Sequence, residues 1–320
     1  MIRKKVFKSR AEWLEYRNGQ FMVGGSNIGT ILGLNPYETP LAYWLRVKSG
    51  EEETPKSSLY RGQFMEDGIS RWFEQETGLK VVKKSGEISV FHNDKYPEYI
   101  QVAPDREIFS KDTGISGPRP ILEIKDTRLI VDFDDDTTVP DEWFAQVQFQ
   151  MAVMERPAAY LAINDGSKQM KTRLIHYDAD FSAEIIRQAC EWVERYIIGG
   201  EQPAPINGKD VQLIAPVSVP GVKKVGYEAR SLYEKALVYK RAADEAKAKF
   251  DALKCQIEAL FDDRDTLELD GVPIATYKTF SAKRFDAERF AKDHPELYGE
   301  YLGKTTYRKL NILKKRKNEQ

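Results

Sequence analysis

The sequence predicts an α/β fold: a mixed central sheet flanked by helices, then a C-terminal extension made of one long helix and a small α+β piece. Three observations carry this. Across residues 1–198, apolar runs of strand length are interleaved with longer segments of helical period. Residues 199–227 are rich in Gly, Pro and Val with little periodicity, as in a linker. Beyond them, residues 228–262 read as one helix with apolar positions at Leu232, Ala236, Tyr239, Ala243, Ala246, Phe250, Leu253, Ile257 and Leu260. These spacings alternate four and three, which is a heptad seam. The domains are therefore 1–198, a linker at 199–227, and 228–320.

In chain order, residues 12–17 form a short helix. GGSNIGTILGL is a Gly-marked turn entering another helix, with Ser26 as its N-cap. Residues 40–48 and 59–77 are helical, the second ended by Gly78. Strands follow at 79–84, 87–92, 99–103 and 121–125. A helix spans 141–155, strands fall at 160–164 and 170–176, and a helix at 181–198 ends in Gly199-Gly200. The heptad helix is read as packing on its own domain rather than as a self-association or partner surface. A hairpin about Asp270-Gly271, a short helix and a basic tail complete the chain.

Composition removes several classes of function. Hydrophobic residues make up 41% and charged residues 31%, as in soluble globular proteins. No apolar run approaches the roughly 18 residues needed to span a bilayer, so no membrane partner is expected. MIRKKVFKSR has basic residues but no apolar segment behind them, so it is no secretory signal. Cys190 and Cys255 stand far apart, which argues against a disulfide framework or a cysteine metal site and for a cytoplasmic setting. Net charge is −1, so the whole molecule is not a basic nucleic-acid binder. Residues 301–320 nevertheless hold seven Lys or Arg against one Glu, a tail that suits phosphates.

The stretch APDREIFSKDTGISGPRPILEIKD carries the chemistry. Side chains alternate along a strand, so Glu123 and Lys125 share one face while Leu122 and Ile124 share the other. A charged pair within an apolar strand is costly unless paired or coordinated. If Asp105 ends the neighbouring strand, its carboxylate approaches Glu123. Asp105, Glu123 and the Ile124 carbonyl are oxygen donors of the kind hard cations such as Mg²⁺ take. Lys125 would then stand beside a metal-bound water. The plain alternative for an isolated Glu-x-Lys is a surface salt bridge.

Five blocks in order resemble the YqaJ-like viral recombinases, the phage lambda exonuclease family of PD-(D/E)xK nucleases. They are Trp13…Arg17 with GGSNIGTILGLNPYETPLAYW, then RGQFMEDGI, APDR, LEIK and AQVQFQMAV, over roughly residues 13–162. The segments DTLELDGVPIATYKTF and TTYRKLNI look like the C-terminal module of some phage members. The resemblance implies a restriction-endonuclease-like core and a metal-dependent exonuclease acting on double-stranded DNA ends. It implies 5′ to 3′ resection for recombination, Mg²⁺ with Mn²⁺ as substitute, two ions, a homotrimer and a single-strand annealing protein as partner. It also implies a bacterial or phage-infected cytoplasm.

The same resemblance assigns residues. Asp105, Glu123, Lys125, Glu66 and Gln146 become catalytic, with Asp105, Glu123, Glu66 and the Ile124 carbonyl on metal. Arg17, Ser26, Arg61 and Gln148 become contacts to DNA phosphate, Arg17 to a 5′-phosphate by paired guanidinium bonds. Gln150 is read as ordinary helix polarity and His92 as structural. The acidic run Asp132, Asp134, Asp135 and Asp136 is read as a solvated loop. The competing functions are an endonuclease of the same superfamily and a non-catalytic DNA-binding assembly protein.

Overall fold

The alternation that puts Leu122 and Ile124 opposite Glu123 and Lys125 makes Ile121–Asp126 a central strand with an apolar face and a mixed one. In the computed structural model, residues 1–50, 57–82, 86–109, 114–127, 139–305 and 307–312 are described, without the side chains of residues 57–60 and 63. The acidic run at 132–136 and the end of the basic tail from 313 lie outside them. The chain divides into two units, Met1–Leu213 and Ile214–Gln320.

The first unit holds β1 (Ile2–Phe7), α1 (Arg10–Asn18), α2 (Gly25–Ile31), α3 (Pro40–Ser49), α4 (Ser57–Thr77), β2 (Ile88–Asn93), β3 (Arg106–Glu107) and β4 (Ile121–Asp126). After these come α5 (Asp141–Met154), β5 (Ala158–Asn164), β6 (Lys171–His176) and α6 (Ala179–Trp192), which continues as a π-helical turn over Val193–Ile198. Its main sheet has the order β3-β4-β5-β6. β4 runs parallel to β5 and antiparallel to β3, and β6 is antiparallel to β5. The mixed sheet flanked by helices is therefore the observed fold.

Both faces of this sheet are covered. Ile121, Leu161, Ile163 and Ile175 pack with α5, α6, α2 and α3 in the larger core. Leu122, Ala162 and the partly buried Ile124 pack with Ile69 and Phe73 of α4 and with Ile108. Glu123 and Lys125 thus face α5, while Asp126 faces α4. That division follows from strand alternation alone.

Helix α2 lies unusually close to α5. A Cβ built on Gly25 would stand 2.9 Å from Nε2 of Gln150, and one on Gly29 would stand 2.6 Å from Cγ of Glu142. The absence of side chains at these two positions, one turn apart, allows the approach. Gly24, not Ser26, caps α2. Its N–H donates to Oδ1 of Asn27 at 2.7 Å, and Asn27 Nδ2 donates to the Met22 carbonyl and to Tyr43 Oη. Ser26 sits inside the first turn and is exposed. Tyr43, buried beneath, is pushed up to about 12 by that burial.

Other boundaries depart from the sequence reading. β1, absent from it, pairs antiparallel with β2. Three of its six residues are Lys or Arg, a composition that hides a strand and also protects an edge. The strand expected at 99–103 is reduced to single bridges of Ile100 with Val23 and Val102 with Phe91. Of that expected at 79–84, Val81 bridges Ile108, and residues 83 and 84 lie outside the described residues. Within 199–227 a short helix, α7 (Gly208–Ile214), is tied to the first unit: Asp210 accepts from Thr39 Oγ1 at 2.6 Å.

The second unit contains α8 (Tyr227–Ala259), the hairpin β7 (Thr266–Leu269) and β8 (Val272–Thr276), α9 (Ala287–Asp293) and α10 (Pro295–Glu300). Helix α8 has 33 residues and buries none of them. The expected packing on its own domain is thus absent along its described length. No helix among the described residues is long and apolar enough to cross a membrane.

Phe73 is fully buried between α4 and the sheet and meets Tyr160 edge-on. Phe73→Ala is expected to lower unfolding free energy by about 3–5 kcal/mol, the cost of a large-to-small core change. The denaturant midpoint, at unchanged slope, measures it.

Candidate active site

The site begins with where a strand of two residues starts. Asp105 precedes β3, and β3 pairs only with Leu122 and Ile121 of β4. Ile124 therefore lies past the end of that ladder, and its N–H donates to Asp105 Oδ2 at 2.7 Å. In a strand, the N–H and C=O of one residue leave on the same side, so the Ile124 carbonyl emerges on the Asp105 edge as well. Asp105 reaches β4 as the entry to β3 rather than as the exit of a strand at 99–103.

Glu123 is only 4% exposed, and its carboxylate is gripped from α5. Oε1 accepts from Gln146 Nε2 at 2.5 Å and from Lys125 Nζ at 3.0 Å, and Oε2 accepts from Gln150 Nε2 at 3.0 Å. Lys125 Nζ also donates to Gln146 Oε1 at 2.6 Å and lies 5.8 Å from the Trp143 ring centre. Gln146 and Gln150 are four apart on α5, one above the other. Glu142, a further turn back, is half-buried on the same stripe. Burial raises its carboxyl pKa while Lys125 opposes the shift.

Glu66 comes from α4, across the sheet. Its Oε1 accepts from Arg106 Nη1 at 2.5 Å, while Arg106 Nη2 donates to Asp67 Oδ1 at 2.6 Å. Nη1 also donates to the Asp105 carbonyl at 2.7 Å. Arg106 itself is 5% exposed. Asp105 stands at the sheet edge between the two faces. Its removal from water, then the carboxylates of Glu123 and Glu66, hold its carboxyl well above the usual range, against the pull of the Ile124 N–H and Lys125.

Of the residues singled out from sequence, Asp105, Glu123, Lys125 and Gln146 converge directly, and Glu66 adjoins them through Arg106. Arg61 binds Asp126, the last residue of β4, at 2.9 and 3.1 Å, and is partly exposed at the same strand end. Arg17 is exposed on α1 and forms no ion pair among the described residues; its charge is felt by Tyr43, beside the α2 entry. Gln148 is elsewhere. It is fully buried on the opposite side of α5, donating to the His176 carbonyl at 2.8 Å and accepting from the Asp178 N–H at 2.9 Å. An amide so committed has no surface to offer a phosphate. His92 is buried in β2 with Nδ1 2.9 Å from the Ile100 carbonyl.

Two residues were missed. Gln150, read as ordinary polarity, is 1% exposed and secures the second oxygen of Glu123, while its own Oε1 has no hydrogen-bond partner among the described residues. The signal was available: it shares the Gln146 face. Arg106 follows Asp105 directly, and nothing local reveals that its partners come from α4.

No three His, Cys, Asp or Glu side chains among the described residues form a cluster of metal-binding size. What does converge is two carboxylates, Asp105 and Glu123, with the Ile124 carbonyl on the same edge. That donor set fits a hard divalent cation that keeps several waters and completes its shell with substrate phosphate.

A mixed sheet thus presents Asp105, Glu123 and Lys125 at one strand end. Residues 12–157 match the family model of the YqaJ-like viral recombinase domain. The chain is 26% identical over 325 residues to the "Uncharacterized protein YqaJ" of Bacillus subtilis (strain 168), covering 98% of this chain and 97% of that one. An alkaline exonuclease (LHK-Exo) from Laribacter hongkongensis aligns at 18% identity and TM-score 0.47, covering 59% of this chain and 93% of its own. A phage related exonuclease from Haemophilus somnus 129PT aligns at 14% and 0.36, covering 57% and 99%.

The raised Asp105 carboxyl sets a pH dependence. A carboxyl whose folded pKa exceeds its unfolded one contributes stability at low pH that is lost as pH rises through the folded value. Without divalent cations, Asp105→Asn is therefore expected to match wild type in melting temperature at acid pH. It should melt progressively higher than wild type above the ordinary carboxylate range. Thermal melts in chelator across pH measure the difference.

Proposed function

We propose that this chain is a divalent-cation-dependent nuclease that resects duplex DNA from its ends, in the 5′ to 3′ direction, for recombination. One observation carries the reading: a buried glutamate and an edge aspartate converge on one strand end, beside a lysine whose ammonium is held by two fixed partners. An isolated surface ion pair would not be gripped by two amides from a packed helix. The match of residues 12–157 to the YqaJ-like viral recombinase domain model supports the same reading.

Asp105, Glu123 and the Ile124 carbonyl are the groups proposed to hold Mg²⁺, or Mn²⁺ in its place. When bound, the cation supplies Lewis acidity to the phosphate and lowers the pKa of a coordinated water. The chain's own part is positioning and charge. Glu123 is fixed at both oxygens, so it presents a single orientation to an ion. Lys125 commits two of its three N–H donors to Glu123 and Gln146, which leaves the third for a phosphate oxygen or the attacking water. Its charge opposes the negative charge that grows on the phosphate during attack, in surroundings drier than bulk water. Glu66, paired with Arg106, is the group proposed to serve a second ion.

Arg17 and Arg61 are proposed to hold phosphates on either side of the cut, Arg17 with Ser26 at the 5′-phosphate. A homotrimer around the duplex and an annealing protein that takes up the single strand complete the proposal.

Digestion of 5′-phosphorylated, 5′-hydroxyl and closed circular duplex, in Mg²⁺ and in EDTA, tests it. Wild type should degrade the phosphorylated linear duplex fastest, spare the circle and stop in EDTA. Lys125→Ala should lose on the order of 10²-fold or more in rate, measured on protein that circular dichroism shows to be folded. Equal rates for wild type and Lys125→Ala would remove the catalytic assignment. Cutting of the circle would make the protein an endonuclease.

A further inference from the structure

Among the described residues, helix α8 buries none of its apolar seam. Leu232, Tyr239, Phe250, Leu253, Ile257 and Leu260 are all exposed, Phe250 by 65% and Leu260 by 66%. Contiguous exposed apolar surface of this kind marks an interaction site. With Ala236, Ala243, Phe250 and Ile257 at heptad position a, and Leu232, Tyr239, Ala246, Leu253 and Leu260 at d, the flanking positions follow from the sequence.

The charges on α8 are sorted about that seam. Between residues 232 and 260, every charged residue at the flanking e and g positions is a lysine: Lys235, Lys240, Lys247, Lys249 and Lys254. Every acidic residue in the same span, Glu234, Asp244, Glu245, Asp251 and Glu258, falls on the outer b, c and f positions. Lys247 and Lys254 reach back to Asp251 and Glu258 at 3.1 and 3.5 Å, exposed pairs that hold the lysines weakly.

In a two-helix seam the e and g residues of one helix face those of the other, and their charges choose the partner. A second copy of α8, parallel or antiparallel, would set lysine against lysine along its length. That repulsion acts against self-pairing. Duplex DNA would satisfy the lysines but leave the apolar seam in water. We infer that α8 docks an amphipathic helix of another protein whose apolar stripe is flanked by acidic residues. This assignment does not depend on the nuclease site.

The test uses the full-length chain and two synthetic heptad helices with Leu at a and d, one carrying Glu at e and g and the other Lys. Fluorescence anisotropy should show the Glu-flanked peptide binding about ten-fold or more tightly, with the preference shrinking at high salt. Phe250→Glu with Leu253→Glu should abolish binding at unchanged circular dichroism. Lys247→Glu with Lys254→Glu should weaken the Glu-flanked peptide and admit the Lys-flanked one. Three results would overturn the inference. The first is equal binding of both peptides. The second is a fall in sedimenting mass of the chain itself on Phe250→Glu with Leu253→Glu, which makes a second copy the occupant. The third is displacement of the bound peptide by duplex DNA, which assigns the lysines to nucleic acid.

Discussion

The first unit depends on carrying one carboxylate, Glu123, into the seam between a sheet and a helix. A lone carboxylate in that position would be costly. Here Lys125 supplies the opposite charge, and Gln146 and Gln150 supply one N–H to each oxygen. These partners fix the register of α5 over β4, since only residues four apart can reach both oxygens. Helix α2 presses on the same helix, its Gly25 against Gln150. The polar cluster and the packing of three elements are therefore one constraint.

A second tension lies at the sheet edge. Asp105 faces two other carboxylates, one from each side of the sheet, and carries a raised pKa as a result. The chain offsets part of this repulsion by turning Glu66 to Arg106. A site over-supplied with negative charge suits a cation better than a site whose charges are already matched. The position of the Ile124 carbonyl, on the Asp105 edge past the end of a two-residue ladder, belongs to the same design. A longer β3 would have consumed it.

Much of this was legible because strand alternation is local. Glu123 and Lys125 share a face for the same reason that Leu122 and Ile124 share the other, and no tertiary contact is needed to say so. Gln148 was legible too, by arithmetic: two residues from Gln146 on a helix is about 200° of rotation, the far side. Gln150 stands on the near side for the same reason. Arg106 was not legible, because its partners lie about forty positions earlier on α4 and meet it only once the sheet is covered. β1 was hidden by its lysines and arginine. Ser26 lost the cap to Gly24 because Asn27, three residues on, could reach back to the Gly24 N–H. The heptad seam was visible in sequence; that no described residue of its own unit buries it was not.

Gly25 has a consequence for how variation in this chain will be read. It touches no substrate and carries no functional group. Yet a single methyl there would meet the amide that holds the second oxygen of Glu123. A survey of random substitutions scored by activity would mark Gly25 as indispensable and suggest a chemical role it does not have. The mark would record a shortage of room, passed from one backbone through one side chain to the carboxylate beyond.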